Sequence, residues 1–202
     1  MNLLIPKMKR MKYKNLLLLV LPFLILSGCV PLAVTGVGVG AGTGALMSED
    51  RRTTGIFIED QAIELKTSRR IHEQLERNVR INVTSFNRNV LLTGEAPNES
   101  MKMEAEKLAM SIDNVRNVFN EIEIAERTAL SARTNDSLIT SKVKGRFLSQ
   151  RKFQINYIKV VTENSVVYLL GLVTREEADD AAQIASTTAG VRKVVKVFEY
   201  LN

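Results

Sequence analysis

The chain has one cysteine, Cys29, and one histidine, His72, among its 202 residues. A single cysteine cannot form an internal disulfide, so burial of apolar side chains alone must stabilise any folded domain. Structural zinc sites take four nitrogen and sulfur ligands from histidine and cysteine side chains, and two such residues cannot supply them. We therefore expect neither a metal site nor a cofactor.

The patterns of the common catalytic sites are also missing. His72 has no second histidine or free cysteine with which to form a nucleophilic site, and no glycine-rich loop with a lysine is present to bind a phosphate. Four carboxylates lie on one predicted helix, which is typical of a solvated helix face: Glu176, Glu177, Asp179 and Asp180. We expect a protein without enzymatic activity.

Charge is missing from a long stretch near the N-terminus, since none lies between Lys14 and Glu49. Basic residues, an uncharged segment over residues 16–26 and then the sequence Leu-Ser-Gly-Cys ending at Cys29 follow the order of a secretory signal. The last four residues are typical of a bacterial lipobox. We predict a lipoprotein signal peptide over residues 1–28 and a lipid on Cys29, the first residue of the mature protein.

A transmembrane anchor is the alternative interpretation of this segment, because its uncharged length is sufficient to span a bilayer. Residues 36–40 alternate glycine and valine, however, and are poor in large apolar side chains. With the lipoprotein signal favoured, residues 29–57 are predicted to be the lipidated N-terminus and a flexible, glycine-rich tether. A flexible chain of this length spans about 30 Å, enough to hold a domain off the membrane or to let it lie on the surface.

Removing the signal also removes most of the net positive charge. The whole chain has 28 basic and 22 acidic residues, and five of the basic residues but none of the acidic ones precede Cys29. The mature chain then has 23 basic and 22 acidic residues, a net charge of +1. The basic character belongs mostly to the targeting signal, so we expect no nucleic-acid binding.

After the tether the chain repeats itself. The sequence Asp-Gln-Ala-Ile at Asp60 recurs as Asp-Ser-Leu-Ile at Asp136, 76 positions on, and a Val-Arg-x-Val motif recurs at the same spacing. The apolar segment that ends at Gly94 recurs at Gly171, 77 positions on, so the second copy has one added residue. The chain is therefore predicted to contain two copies of one unit.

Within each copy, hydrophobic periodicity predicts a helix, two strands, a second helix and a third strand. A helix that returns the chain to the same sheet implies a mixed sheet. We predict an α+β fold with two tandem α-β-β-α-β domains, over residues 58–126 and 127–202, each with a three-stranded mixed sheet packed on two helices. Asp60 and Asp136 are predicted helix N-caps. The side chains predicted to face the sheet are Ile63, Thr67 and Ile71 in the first copy and Ile139, Val143, Phe147 and Gln150 in the second.

Gly94 and Gly171 end the second strand at corresponding places in the two copies. We interpret both as structural glycines, required for a backbone with positive φ or for close approach to a helix. A ligand contact is the less favoured alternative.

Five short segments carry a family resemblance: Val-Leu-Leu before Gly94, Gly-Leu-Val-Thr from Gly171, Asn-Val-Thr from Asn82, Val-Phe-Asn-Glu-Ile from Val118, and the Asn-Asp pair at Asn135 with Ile139 and Thr140. Together they resemble the BON domain. Two such units behind a lipobox and a glycine-rich tether resemble the outer-membrane lipoproteins of this family. The resemblance implies a non-enzymatic protein in the inner leaflet of the outer membrane that supports envelope integrity and binds anionic phospholipid through its second domain.

The residue after the lipobox bears on localisation. Val30 follows Cys29, whereas aspartate at this position is the inner-membrane retention signal in related bacteria. We expect a protein that is lipid-anchored in the outer membrane and faces the periplasm.

The two copies differ in charge. Residues 58–126 have nine basic and thirteen acidic residues, net −4, whereas residues 127–202 have twelve and seven, net +5. An anionic leaflet would repel the first copy and attract the second. The alternative is that the opposite charges dock the two copies on each other.

The first helix of the second copy, predicted from Asp136 to about Lys152, has a face that folding does not require. Its outward positions are Leu138, Ser141, Lys142, Lys144, Gly145, Leu148 and Lys152. Exposed leucines among lysines are typical of an interfacial helix. The predicted phospholipid-binding residues are Leu138, Lys142, Lys144, Leu148 and Lys152. The alternative is that the two leucines pack against the first copy or the linker between the copies.

Besides a membrane-binding envelope factor, two other functions remain open at this point. The first is an interaction module that assists outer-membrane protein assembly, with the basic helix binding a protein partner. The second is a purely structural spacer. The partners to test are therefore anionic phospholipid and the outer-membrane assembly machinery.

Overall fold

The computed structural model describes residues 50–75, 79–125 and 130–201, the side chains of residues 130–132 excepted. Cys29 and the predicted signal peptide lie outside the described residues. Domain 1 consists of α1 (Thr54–Gln74), β1 (Arg80–Phe86), β2 (Asn89–Ala96), α2 (Glu99–Met110) and β3 (Asn117–Ile124). Domain 2 consists of α3 (Leu130–Gln150), a 3-10 turn (Ile155–Tyr157), β4 (Ile158–Glu163), β5 (Val166–Val173), α4 (Arg175–Ser186) and β6 (Lys193–Tyr200). The predicted α-β-β-α-β order is therefore confirmed in both copies.

Each domain has one three-stranded mixed sheet. In domain 1 the strand order is β1-β2-β3, with β1 and β2 antiparallel and β2 and β3 parallel. Domain 2 repeats this arrangement with β4, β5 and β6. The parallel pairs are joined through α2 and α4, as the return of the chain to the same sheet requires.

Both helices of each domain cover the same face of its sheet and form the core there. The predicted stripes are confirmed, since Ile63, Thr67 and Ile71 are at most 4% exposed and Ile139, Val143 and Phe147 at most 1%. Gln150 was predicted to face the sheet but is exposed. The reason is that α3 ends at Gln150, where Arg151 turns the chain away with a φ of 50°.

The two repeated aspartates are not helix N-caps, and that prediction is wrong. α1 begins at Thr54, six residues before Asp60 and inside the predicted tether of residues 29–57. Thr53 caps it by accepting a hydrogen bond from the N–H of Ile56 at 3.3 Å. Asp60 and Asp136 instead lie inside their helices and are buried, 2% and 6% exposed. Buried carboxylates need hydrogen-bond donors, and these come from the adjacent hairpin.

Each aspartate binds the two-residue turn of its own hairpin. Asp60 accepts hydrogen bonds from the backbone N–H groups of Asn87 and Arg88 at 2.8 and 2.7 Å. Asp136 does the same with the corresponding turn at 2.9 and 2.8 Å. The residues in both turns have positive φ, as tight hairpins with right-handed twist require. The repeated Asp motif therefore fixes each first helix to its hairpin.

The outer faces of the two sheets pack against each other. Their shared apolar cluster consists of Phe86 and Leu91 from domain 1 and Val166, Tyr168, Leu170 and Val197 from domain 2. Because both faces of each sheet are covered, β2 and β5 are fully buried at most positions. The two domains thus share one interface built from their sheets.

Polar contacts at this interface have pseudo-two-fold symmetry. Glu199 at the end of β6 accepts a hydrogen bond from Asn87 at 2.7 Å and forms an ion pair with Arg116 at 3.3 Å. The corresponding residues of the repeat make the same contacts: Glu123 with Asn164 at 2.8 Å and with Arg192 at 3.5 Å. Exchange of the two domains therefore maps the interface on itself, as in a dimer of identical subunits.

One end of the interface departs from this symmetry through a buried charge cluster. Arg80 of β1 donates to Glu95 of β2 twice, at 2.7 Å, and also to Glu163 of β4. These side chains are 11%, 2% and 9% exposed. A charge pair in the other direction joins Lys159 of domain 2 to Glu64 of domain 1 at 2.6 Å. Charges of both signs therefore cross from each domain to the other.

Candidate membrane-binding helix

The rotation of α3 about its axis is fixed by its contacts with the rest of domain 2. A stripe of fully buried residues that includes Phe147 faces the sheet. On one side Thr140 hydrogen-bonds Thr162 of β4 at 2.7 Å, and on the other Arg146 donates to the carbonyl of Ile184 in α4 at 2.7 Å. The packing therefore determines which residues point outward.

The outward side of α3 exposes two large apolar side chains to solvent. Leu138 is 55% exposed and Leu148 is 58% exposed, and Ser141 and Gly145 between them are also exposed. We call these four residues the leucine face. More than half of each leucine is accessible, which is not expected of side chains that pack against domain 1.

Lysines surround the leucine face on both sides. At 100° per residue, Lys142 and Lys144 lie on opposite flanks of the leucines, and both are exposed. Neither forms an ion pair within residues 50–75, 79–125 and 133–201. Lys152 is 56% exposed and has only a long contact to Asp180, at 3.8 Å. Four of the five predicted residues thus lie on α3, and Lys152 lies two residues beyond its end. The ammonium groups of the three lysines are exposed on this side of domain 2.

The corresponding helix of domain 1 is different at these positions. Leu138 and Leu148 are replaced by Ala62 and His72, neither of which is a large exposed apolar residue. α1 has its own exposed pair, Ile58 at 61% and Leu65 at 62%. These two residues were missed from the sequence, although a helical projection shows that they lie off the buried stripe of α1.

The C-terminal end of α3 has additional cationic residues that sequence reasoning did not include. Leu148 and Lys152 line a cleft together with Arg51 and Arg151. Arg151 directly follows the helix and is recognisable from the sequence. Arg51 precedes α1 and lies far away in the chain, so no local pattern places it beside α3.

The two predicted structural glycines lie away from the leucine face. They do not end the second strands as predicted, since β2 continues to Ala96 and β5 to Val173, and another backbone approaches each of them closely. Gly94 has a φ of +114°, and a Cβ there would lie 2.0 Å from the carbonyl oxygen of Arg80 in the neighbouring strand. A Cβ on Gly171 would lie 2.6 Å from the carbonyl oxygen of Tyr157 in the 3-10 turn. Close approach therefore accounts for both glycines, to a strand in one domain and to a short turn in the other.

Two other properties of the chain bear on function. Among the described residues, none of the helices combines the length and apolar character needed to cross a bilayer. The same residues contain no cluster of three acidic, histidine or cysteine side chains arranged to hold a metal ion.

Comparison with known proteins agrees with the repeat and the fold. The BON domain family matches residues 60–126 and 135–202. The chain is 37% identical to "Outer membrane lipoprotein DolP" of Haemophilus influenzae over 191 residues, which cover 94% of this chain and 97% of that protein. It is 34% identical to the "21 kDa hemolysin" of Actinobacillus pleuropneumoniae over 75% of this chain and 79% of that protein.

A more distant relative extends over nearly the whole chain. The "Osmotically-inducible protein Y" of Escherichia coli K12 is 25% identical over 193 residues, 93% of this chain and 96% of that protein. Both repeats are matched separately by one family, and two relatives are more than 30% identical over most of the chain. The chain belongs to the BON domain family and contains two BON domains.

Proposed function

We propose that this protein is a non-enzymatic lipoprotein of the outer membrane that maintains envelope integrity, and that domain 2 binds anionic phospholipid through the leucine face of α3. The relative in Haemophilus influenzae is named an outer membrane lipoprotein and aligns over 94% of this chain. The lipobox at Cys29, followed by Val30 and not by aspartate, supports the same location, although both residues lie outside the described residues.

The observation that carries the lipid proposal is the exposure of Leu138 and Leu148 between lysines. Neither leucine contributes to the buried core, so folding does not explain them. Insertion of such leucines at the headgroup boundary, with lysines at the lipid phosphates, is how interfacial helices bind membranes. The net charge of domain 2, +5 over residues 127–202, acts in the same direction.

Replacement of both leucines by glutamate, Leu138→Glu with Leu148→Glu, is expected to reduce vesicle binding at least about 10-fold. The change removes apolar insertion and introduces repulsion from anionic headgroups. Flotation of the unlipidated protein with vesicles of phosphatidylcholine, with and without phosphatidylglycerol, measures the effect. Thermal stability should change little, because exposed positions away from specific contacts contribute about 0.5 kcal/mol or less.

The chain offers a matched control on the other domain. Ile58→Glu with Leu65→Glu replaces two equally exposed apolar residues on α1 and should leave vesicle binding unchanged. Equal loss of binding in both double variants would mean that general surface hydrophobicity, not the leucine face, drives the contact. A large fall in melting temperature in the α3 variant would show that its leucines are buried in solution.

Loss of the anchor is expected to redistribute the protein. Cys29→Ala removes the acylation site, and several acyl chains at about 0.8 kcal/mol per buried methylene normally make such an anchor permanent. The variant should therefore be found unprocessed or in the soluble periplasmic fraction after cell fractionation. Retention in the outer-membrane fraction as strong as that of the native protein would contradict the lipoprotein assignment.

A protein-interaction module that assists outer-membrane protein assembly is the second candidate function. The specific observation in its favour is the exposed pair Ile58 and Leu65 on α1, in the domain with net negative charge. In a strain without the native gene, sensitivity to detergent measures envelope integrity. If the α1 double variant fails to restore detergent resistance while the α3 double variant succeeds, the interaction module is the better description.

A further inference from the structure

The two arginines that precede α1 bind different domains. Arg52 donates to Asp60 of domain 1 at 2.8 Å and lies over the ring of Phe86, 4.0 Å from its centre. Arg51 binds domain 2, although the chain at this point is about to enter domain 1. It donates to both carboxylate oxygens of Glu177 in α4 at 2.7 and 2.8 Å.

Two further contacts hold Arg51 in this place. Its guanidinium donates to the carbonyl oxygen of Leu172 at 2.9 Å and lies 3.7 Å from the centre of the Tyr157 ring. Bidentate pairing with a carboxylate and stacking on an aromatic ring are the contacts for which arginine is better suited than lysine. We call Arg51 with Glu177, Leu172 and Tyr157 the Arg51 clamp.

The pseudo-two-fold symmetry explains why the clamp lies where it does. At one end of the interface Arg80 pairs with Glu163 across the domains. The repeat spacing of 77 places Tyr157 and Phe86 at the corresponding positions of the other end. Both are aromatic, so the symmetry counterpart of the Arg80–Glu163 pair is missing at this end. Arg51 and Arg52 supply the cations from outside the repeat and stack on these two rings.

The clamp lies directly beside the end of the proposed membrane-binding helix. Arg51 lines the same cleft as Leu148, Arg151 and Lys152. We infer that Arg51 is a positioning residue: it fixes the exit of the N-terminal tether on domain 2, next to the C-terminal end of α3, so that the lipid anchor and the leucine face meet one membrane. This inference rests on the proposed function for its membrane part.

Directing the tether in this way has a physical benefit. A lipid anchor raises the local concentration of a weak membrane contact, but only if the geometry permits both to engage together. Without the clamp the residue that holds the chain before α1 would be Arg52, which binds the acidic domain. With the clamp it leaves beside the basic helix that has the leucine face.

The clamp is an ion pair at neutral pH. Hydrogen bonding from Arg51 lowers the pKa of the Glu177 carboxyl below its ordinary value of 4.5. A carboxyl whose pKa is lowered by folding contributes stability above its unfolded pKa, and this contribution is lost as the pH falls through the folded pKa. Experiments near pH 7 therefore test the clamp in its formed state, and acidification below pH 4.5 should weaken it.

The first experiment asks whether the clamp holds the tether. Subtilisin cleavage of the unlipidated mature chain at the bonds between Asp50 and Thr54 is expected to be at least about 5-fold faster in Arg51→Ala than in the native sequence. Glu177→Gln should give a similar increase, while glutamine can still complete the capping box of α4 with Thr174. Arg69→Ala removes an exposed cation on α1 and should leave the rate unchanged. Unchanged cleavage in both clamp variants would overturn the inference.

The second experiment asks whether the clamp orients α3. Cys29 is the only cysteine and the chain has no tryptophan, so Cys29 can be coupled to a maleimide lipid and Ser141→Trp can report from the leucine face. On vesicles containing phosphatidylglycerol, the tryptophan emission of the coupled protein is expected to shift to the blue, and Arg51→Ala should lose at least half of this shift. Arg69→Ala should retain it.

The two experiments fail in distinguishable ways. Faster cleavage with an unchanged blue shift in Arg51→Ala would overturn the positioning role and leave α3 as the membrane contact. Absence of any blue shift in the coupled protein with its clamp intact would contradict the proposed lipid binding. In that case the cleavage rates of the clamp variants and the native sequence would still show whether Arg51 holds the tether on domain 2.

Discussion

Arg80→Ala is expected to lower the free energy of unfolding by about 3–5 kcal/mol, because it leaves two buried carboxylates without their shared cation. Glu95 and Glu163 are 2% and 9% exposed in their side chains, and Arg80 donates to both. Asn82 also donates to Glu163 at 2.7 Å, but a neutral amide cannot replace the guanidinium charge. Urea denaturation at neutral pH measures the loss.

A pair at the rim of the same interface provides the control. Arg116 and Glu199 are 44% and 34% exposed, and Arg116→Ala should cost about 1 kcal/mol or less. The effect of Arg80→Ala should also depend less on salt, since buried charges are screened less than exposed ones. Equal, small losses in the two variants would show that the buried cluster contributes no more than the rim.

Gly94→Ala is expected to lower the free energy of unfolding by about 2–4 kcal/mol. The φ of +114° is costly for any side chain, and the new Cβ would lie 2.0 Å from the carbonyl oxygen of Arg80. That oxygen belongs to a paired strand, since Arg80 lies opposite Glu95, so it cannot move without breaking the ladder. Thermal or urea unfolding of the variant measures the loss.

Substitutions at two other glycines are expected to have smaller or opposite effects on stability. Gly171→Ala introduces a 2.6 Å contact without positive φ, so its cost should be smaller. Gly145 lies in α3, and a Cβ added there would meet nothing within 4 Å. Gly145→Ala should therefore stabilise the protein by up to about 1 kcal/mol through helix propensity. A neutral result for Gly94→Ala would mean that the strand relaxes at this point.

The repeat made most of the fold predictable. Periodicity identified the buried stripes around Ile63 and Ile139. The shared position of Gly94 and Gly171 identified equivalent points of the second strands but not their ends, which lie two residues further on. Asp60 was misread as an N-cap because aspartate before an apolar helical pattern is a common start signal. Its true role, binding the hairpin turn, depends on a tertiary contact between Asp60 and Asn87 that helix patterns do not contain.

The candidate site was partly predictable for the same reason. Leu138 and Leu148 stand out because the buried stripe of α3, once identified, also defines which residues lie on the opposite, solvent-facing side of the helix. Arg51 could not be found in this way, since its partner Glu177 is 126 positions away and it lies in a segment whose composition is that of a tether. Contacts between the two domains are likewise absent from any single-copy pattern. The charge counts predicted either attraction of domain 2 to an anionic leaflet or docking of the two domains, but not which residues pair across the interface.

The pseudo-two-fold interface also bears on how a chain of this kind arises. A single unit with this sheet face would form a dimer of identical subunits, in which every substitution occurs twice and both ends of the interface change together. Fusion of two units after gene duplication removes that constraint. In this chain one end of the interface has Arg80 with Glu163, whereas the other, with Tyr157 and Phe86, accepts a segment from outside the repeat. Two identical subunits could not differ in this way, because each substitution would change both ends.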